Sequence, residues 1–187
     1  MDAAIWVIIA LVAVIVIGVL VWYAMTRRRT GQLREQFGPE YDRTVDETED
    51  RRTAESELLE RRRRVEELDI RTLDPVTRTS FADRWNAVQA RFVDDPTSAV
   101  GEADELVVLG MRERGYPMDE FDQRVADVSV DHAQVVEDYR AAHGISERVR
   151  SNDATTEDMR QALVHYRALF SELLEEGDRS DDMREVR

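Results

Sequence analysis

The residues that could carry chemistry in this chain are few: three histidines, His132, His143 and His165, a wide scatter of carboxylates, and no cysteine. The absence of Cys excludes a thiolate nucleophile, a Cys-ligated zinc and a disulfide framework. The histidines fall on different expected turns or helices. None lies in H-E-x-x-H or in the E-x-x-H spacing with which helical bundles hold two irons. A helical phosphohydrolase would want an adjacent His-Asp pair; the order here is Asp131 then His132, and Asp131 reads as a helix cap. Asp119, Glu120 and Asp122 could attract a divalent cation, yet they do not fit the D-x-[DN]-x-[DN]-G loop. A negative helix N-terminus complementing its dipole accounts for them. The eight glycines form neither G-x-G-x-x-G nor G-x-x-x-x-G-K-[ST], and there is no G-x-S-x-G elbow. No catalytic residue, metal or cofactor is expected, and the chain does not read as an enzyme.

The elements around these residues are set by charge and hydropathy. The 187 residues carry 40 acidic against 26 basic side chains, every basic one an arginine, for a net charge of -14. That balance disfavours nucleic acid as a partner of the whole chain. It is unevenly placed: residues 27–39 carry +3, from Arg27, Arg28, Arg29 and Arg34 against Glu35, while residues 72–175 carry -10. A short basic collar separates an apolar end, residues 1–26, from an acidic remainder.

Residues 5–24 are 20 consecutive uncharged positions, and a helix of them spans about 30 Å, the thickness of a bilayer's hydrocarbon core. Thirteen of them are Ile, Val or Leu, which favour insertion by about 4–8 kcal/mol as an upper bound. Trp6 at one end and Trp22 with Tyr23 at the other suit the two interfaces. A secretory signal would need a basic n-region and a shorter apolar run, whereas only Asp2 precedes this one, so the segment reads as a retained anchor. The arginines on its C-terminal side put the N-terminus outside and the rest of the chain in the cytoplasm, at the cell membrane. Arg27, Arg28, Arg29 and Arg34 lie at head-group level and read as a topology signal with no specific lipid bound.

Gly31, Gly38 and Pro39 then predict a break. Residues 40–71 hold Glu47/Arg51, Glu57/Arg61, Glu60/Arg64 and Glu67/Arg71 at i, i+4, and read as one long charged connector helix. A coiled coil is excluded because residues 46–57 offer only Ala54 as an apolar seam contact, which leaves a solvated spacer.

Residues 72–175 are expected to be five helices around one core. Asp74-Pro75 and Asp95-Pro96 are start signals, Gly115 a C-terminal stop, and Thr155 with Asp158 a cap pair. Phe81, Trp85, Val88 and Phe92 form one apolar stripe, and Val100, Ala103, Val107 and Met111 the next. Pro117 is expected to open a short helix carrying Phe121, Val125 and Val128, and Asp131 to start another with Val135, Val136 and Tyr139. Met159, Leu163, Tyr166, Phe170 and Leu173 line the last. Residues 176–187, polar and without a stripe, read as a disordered tail.

The combination of this N-terminal span with FGPEYDRTV (residues 37–45), RVEELDIR (64–71), RWNAVQARFVDDP (84–96), MRERGYP (111–117), VSVDHAQVVEDYRAAH (128–143) and HYRALFSELLE (165–175) resembles a family of small, uncharacterised actinobacterial proteins, membrane-anchored or labelled secreted. The resemblance implies a bacterial envelope setting and no activity, cofactor or catalytic residue.

The expectation is therefore an all-α, single-pass membrane protein that presents an acidic helical domain to a basic protein partner, with Tyr116 and Phe121, beside the Gly115/Pro117 break, as candidate contacts. The same two side chains could instead plug the core. An outward-facing structural or stress protein of the envelope and an enzyme of unrecognised type are the alternatives, and oligomeric state is not legible.

Overall fold

The computed structural model describes the backbone of residues 2–185 and the side chains of residues 11, 15–18, 20, 21, 23, 25 and 27–175. Among these residues the chain is all-helical, with eight helices and no strand. Helix α1 (Asp2–Phe37) carries the apolar run, the collar and the turns beyond it as one rod, about 54 Å long at 1.5 Å per residue. The break expected at Gly31 is absent, since a helix-interior glycine costs only about 1 kcal/mol. The stop comes at Gly38, whose φ of 47° leaves the right-handed helical region, and at Pro39, which has no N–H to continue the ladder.

Every described side chain from residue 11 to residue 25 is exposed, among them Leu11, Ile15, Ile17, Leu20 and Met25. Leu33 and Phe37, on the same helix, are fully buried. Among the described residues no helix is long and apolar enough to cross a membrane. Much of the run 5–24, with Trp6 and Trp22, lies outside the described side chains, so the spanning expectation rests on the sequence.

The connector is not one long helix. It divides into α2 (Pro39–Thr48) and α3 (Arg51–Glu66), separated by Glu49 in the left-handed region and by Asp50. The Asp50 carboxylate accepts the N–H groups of Arg52 and Thr53 and the Thr53 hydroxyl, capping α3. Nor is the connector a solvated spacer. Leu33, Phe37, Tyr41, Leu58, Val65 and Val130 close a small core of their own, so the end of α1 with α2 and α3 forms a folded base. Of the four i, i+4 pairs expected, Glu57–Arg61 forms. Glu47 turns back to Arg43, and Arg64 leaves its helix to reach Asp127.

The body comprises α4 (Pro75–Arg91), α5 (Pro96–Arg114), α6 (Phe121–Asp131), α7 (Val136–Arg150) and α8 (Thr156–Glu185). Asp74 and Asp95 cap α4 and α5 with Pro at the first helical position. Thr155 and Asp158 exchange backbone and side-chain bonds at the start of α8. One cluster holds Trp85, Val107, Tyr139, Tyr166 and Phe170 among others, with the Trp85 and Phe170 rings stacked at 4.8 Å.

Two boundaries differ from expectation. Helix α6 starts at Phe121 rather than Pro117 and ends at Asp131, so Asp131 does not cap α7; its carboxylate accepts the Tyr116 hydroxyl at 2.8 Å instead. Helix α8 continues past Glu175, where a disordered tail was expected, and the side chains from residue 176 lie outside the description.

Base and body meet through α6 and the 67–74 linker. Val125 and Val128 enter the large core and Val130 the small one. The linker crosses α5 at Gly115, where a Cβ would lie 2.4 Å from the Asp69 carbonyl oxygen, and the φ of 100° suits glycine alone.

Candidate functional site

Of the two candidate partner contacts, the structure buries Tyr116 and leaves Phe121 half-buried. Tyr116 is 3% exposed and spends its hydroxyl on Asp131. Phe121 is half-buried, stacked on the His143 ring at 3.6 Å and tilted against Tyr139 at 5.1 Å. Tyr116 belongs to the core, where the linker packs down the turn that begins at Gly115, while Phe121 packs against the core's margin.

The histidines do not converge. His132 is buried, with Nε2 3.2 Å from Arg114, a group that can only donate, so that nitrogen accepts. His165 meets Asp138 at 2.6 Å, and His143 lies under Phe121. Among the described residues no three His or carboxylate side chains are grouped to hold a metal. Ser146, Tyr166 and Asp104 form a chain at 2.9 Å per step, but burial, with Asp104 beside it, pushes the Tyr166 phenol far up. It stays protonated and donates to Asp104, tying α5, α7 and α8 together rather than supplying a nucleophile.

What the fold does assemble lies at the foot of the base. Helix α2, with 10 residues, retraces about 15 Å of α1. It delivers the first turn of α3 beside the collar, so Arg51 joins Tyr23, Arg27 and Thr30 around a recess of about 320 Å³. Arg51 is held there by Glu55, whose Oε1 lies 3.3 Å from its Nε. Glu55 is itself buried and fixed by the Thr30 hydroxyl at 2.7 Å and the Tyr41 hydroxyl at 3.0 Å. Arg51 Nη2 lies 3.5 Å from Thr30 Oγ1, and the Arg27 guanidinium sits 5.2 Å from the centre of the Tyr23 ring.

The opposite end of the base is clamped to the body by a buried carboxylate. Glu40 Oε1 accepts from Arg61 and Arg140, both at 2.8 Å, and Oε2 accepts from Arg140 at 2.6 Å. Arg140 thus makes a two-pronged contact from α7, and Arg43 reaches Glu137 of α7 at 3.2 Å. Burial pushes the Glu40 carboxyl up, but Arg140 and then Arg61 outweigh it and hold it below its ordinary value. Arg64 adds a second strap from α3 to the buried Asp127 of α6 at 2.7 Å. The base is therefore fixed to the body by charge as well as by its small core.

Collar and body differ in their unpaired charges. Arg27, Arg28 and Arg29 are exposed, and among the described residues none pairs with a carboxylate, although Arg34 reaches Asp42 at 3.6 Å and rests over the Tyr41 ring. On the body, among the described residues, the exposed charges without an ion pair are acidic in majority, with Asp83, Asp94, Asp119, Glu120, Asp122 and Asp153 against Arg84, Arg112 and Arg167. Sequence reasoning found the collar but missed Arg51, Glu55 and Glu40. A readable signal existed for the first: Asp50 and Thr53 repeat the spacing of Asp74 and Thr77, a helix start inside what reads as one helix.

No family model matches the chain, and no curated protein or solved structure matches it.

Proposed function

We propose that this is a single-pass membrane protein that holds an acidic helical domain close against the cytoplasmic face of a bacterial membrane, where it binds a basic protein partner. The observation that carries the reading is the unbroken course of α1 from the exposed apolar segment to Leu33 and Phe37 in the core of the base. An exposed apolar rod of this kind needs a non-aqueous neighbour, and the residues beyond the collar leave no flexible tether. From Arg27 to Phe37 the helix rises only about 15 Å. The five helices α4–α8 act as one bundle presented at that height. Confinement there raises the effective concentration of even a weak binder towards partners in the same membrane. The unpaired carboxylates of the body favour a basic partner surface and make association salt-sensitive.

The test uses the full chain in membranes. The reading expects the protein to resist carbonate extraction, a reporter fused after residue 187 to be active only inside the cell, and a basic partner to be captured at low salt and released at high salt. Carbonate-soluble protein would overturn the anchor. A reporter active only outside would turn the same domain into an outward-facing envelope protein.

A further inference from the structure

We propose that the recess formed by Tyr23, Arg27 and Thr30 of α1 and Arg51 of α3 is a binding site for the phosphate of an anionic phospholipid head group. This rests on the anchor reading above, which sets Tyr23 at the interfacial end of the apolar run and Arg27 one turn deeper into the head-group layer. A topology signal requires basic residues near the span and nothing more. Here a guanidinium from 24 residues downstream is brought to the same level and fixed.

The fixing is specific. Glu55 takes Arg51 Nε, and Tyr41 and Thr30 hold Glu55 in place, so Arg51 is oriented before any ligand arrives. Its Nη1 has no partner among the described residues. Arg27 lies over the Tyr23 ring and among the described residues pairs with no carboxylate, so its in-plane N–H donors remain for an oxyanion. Glu55 is neutralised by Arg51, while the carboxylates of Glu49 and Asp50, the latter turned to the N-terminus of α3, are not among the residues that line the recess. Arg27 thus leaves the recess one net positive charge, with Arg28, Arg29 and Arg52 in the surrounding field. At about 320 Å³ the recess has room for a phosphate with part of its glycerol.

The experiment is native mass spectrometry of the full-length protein released from nanodiscs of phosphatidylcholine containing a minor share of phosphatidylglycerol. The wild type should retain phosphatidylglycerol out of proportion to its share. Arg27→Ala and Arg51→Ala should each reduce that preference about fivefold, while Arg63→Ala, an exposed arginine in the last turn of α3, should leave it unchanged. Among the described residues Arg27 touches no carboxylate, so its variant reports on binding even if loss of Arg51 loosens Glu55. An excess of inorganic phosphate should not displace the lipid; displacement would make free phosphate the ligand and overturn the lipid assignment. Incorporation into nanodiscs without a preference, or a preference indifferent to both substitutions, overturns the site and leaves the anchor standing. Failure to enter nanodiscs overturns both.

Discussion

The body and the base of this molecule solve the same packing problem with different materials. In α4–α8 a continuous apolar cluster runs from Phe81 to Leu173 and dominates, although Arg114 and Asp127 are also buried there and the Ser146–Tyr166–Asp104 chain crosses it. In the base the apolar core is a handful of side chains around Tyr41 and Leu58, and beside it the fold buries Glu40, Glu55 and Arg61. Apolar burial is non-directional and tolerates repacking. A bidentate carboxylate–guanidinium contact fixes distance and angle but contributes little net stability, since desolvation offsets most of the attraction. The difference teaches that the body is built to be stable, whereas the base is built to set an orientation, that of α1 against α7.

The comparison breaks first, and hardest, in the body. Phe170→Ala removes a ring that stacks on Trp85 and tilts against Phe81 at 6.2 Å. A cavity of that kind costs about 3–5 kcal/mol, enough to lower the thermal midpoint of the whole domain in calorimetry. If the loss were confined to α4, the idea of one shared core would fail. In the base the matching test is Glu40→Gln, which keeps the shape and removes the charge. Stripping one partner from a buried pair costs about 3–5 kcal/mol; because Arg140 keeps Glu137 and Arg61 keeps Glu57, about 2–3 kcal/mol is expected. Amide exchange should accelerate in α2 and α3 while α5 and α8 stay protected. Equal acceleration throughout would mean that the base is no separate unit.

Gly115 sharpens the picture because it belongs to both regions. Its φ of 100° and the Asp69 carbonyl oxygen 2.4 Å from a would-be Cβ penalise alanine twice. A left-handed residue with a side chain costs about 1–2 kcal/mol before the clash is added. Gly115→Ala should therefore destabilise by about 2 kcal/mol or more in denaturant titration, with the linker displaced. Gly101→Ala, in open space within α5, should be neutral or slightly stabilising.

How much of this was legible follows from the range of the forces involved. Asp74, Asp95, Gly115 and the Thr155/Asp158 pair announced their helix ends because a cap acts within three residues of itself. The stripes of α4, α5 and α8 were readable because burial recurs with the helical period. At the end of α2 neither Gly nor Pro marks the stop and the i, i+4 charge pattern runs across it, so the Asp50/Thr53 spacing was the one local signal; Glu49 adopts the left-handed conformation without being glycine. The recess at the foot of α1 was unreadable for a different reason. Arg27 and Arg51 become neighbours only once a 10-residue α2 folds back, and no local spacing encodes that. Whether Tyr116 and Phe121 are exposed or packed stays open in the sequence because the linker that covers the turn beside them comes from residues more than 40 positions earlier in the chain.

The smallest effect, and the most discriminating, is the response to acid. Glu40 is held below its ordinary value of 4.5 in the folded protein by its two guanidiniums, so the folded state binds a proton less readily than the unfolded one. Its contribution is fully present above pH 4.5 and drains away as the pH falls below that through the depressed value. The caps Asp74, Asp95 and Asp158 of the body and Asp50 of the base are likewise lowered, by Thr77, Ser98, Thr155 and Thr53, and they soften both regions over the same range. Acidification alone therefore does not separate the two regions, but the Glu40→Gln variant does. In the wild type, exchange in α2, which carries Glu40, should quicken on acidification more than exchange in α5; in the variant that excess should vanish, because the titrating group is gone and its cost is present at every pH. An excess that survived the substitution would put the acid sensitivity of the base in the Asp50 cap of α3, and the clamp on α7 would no longer be what orients α1.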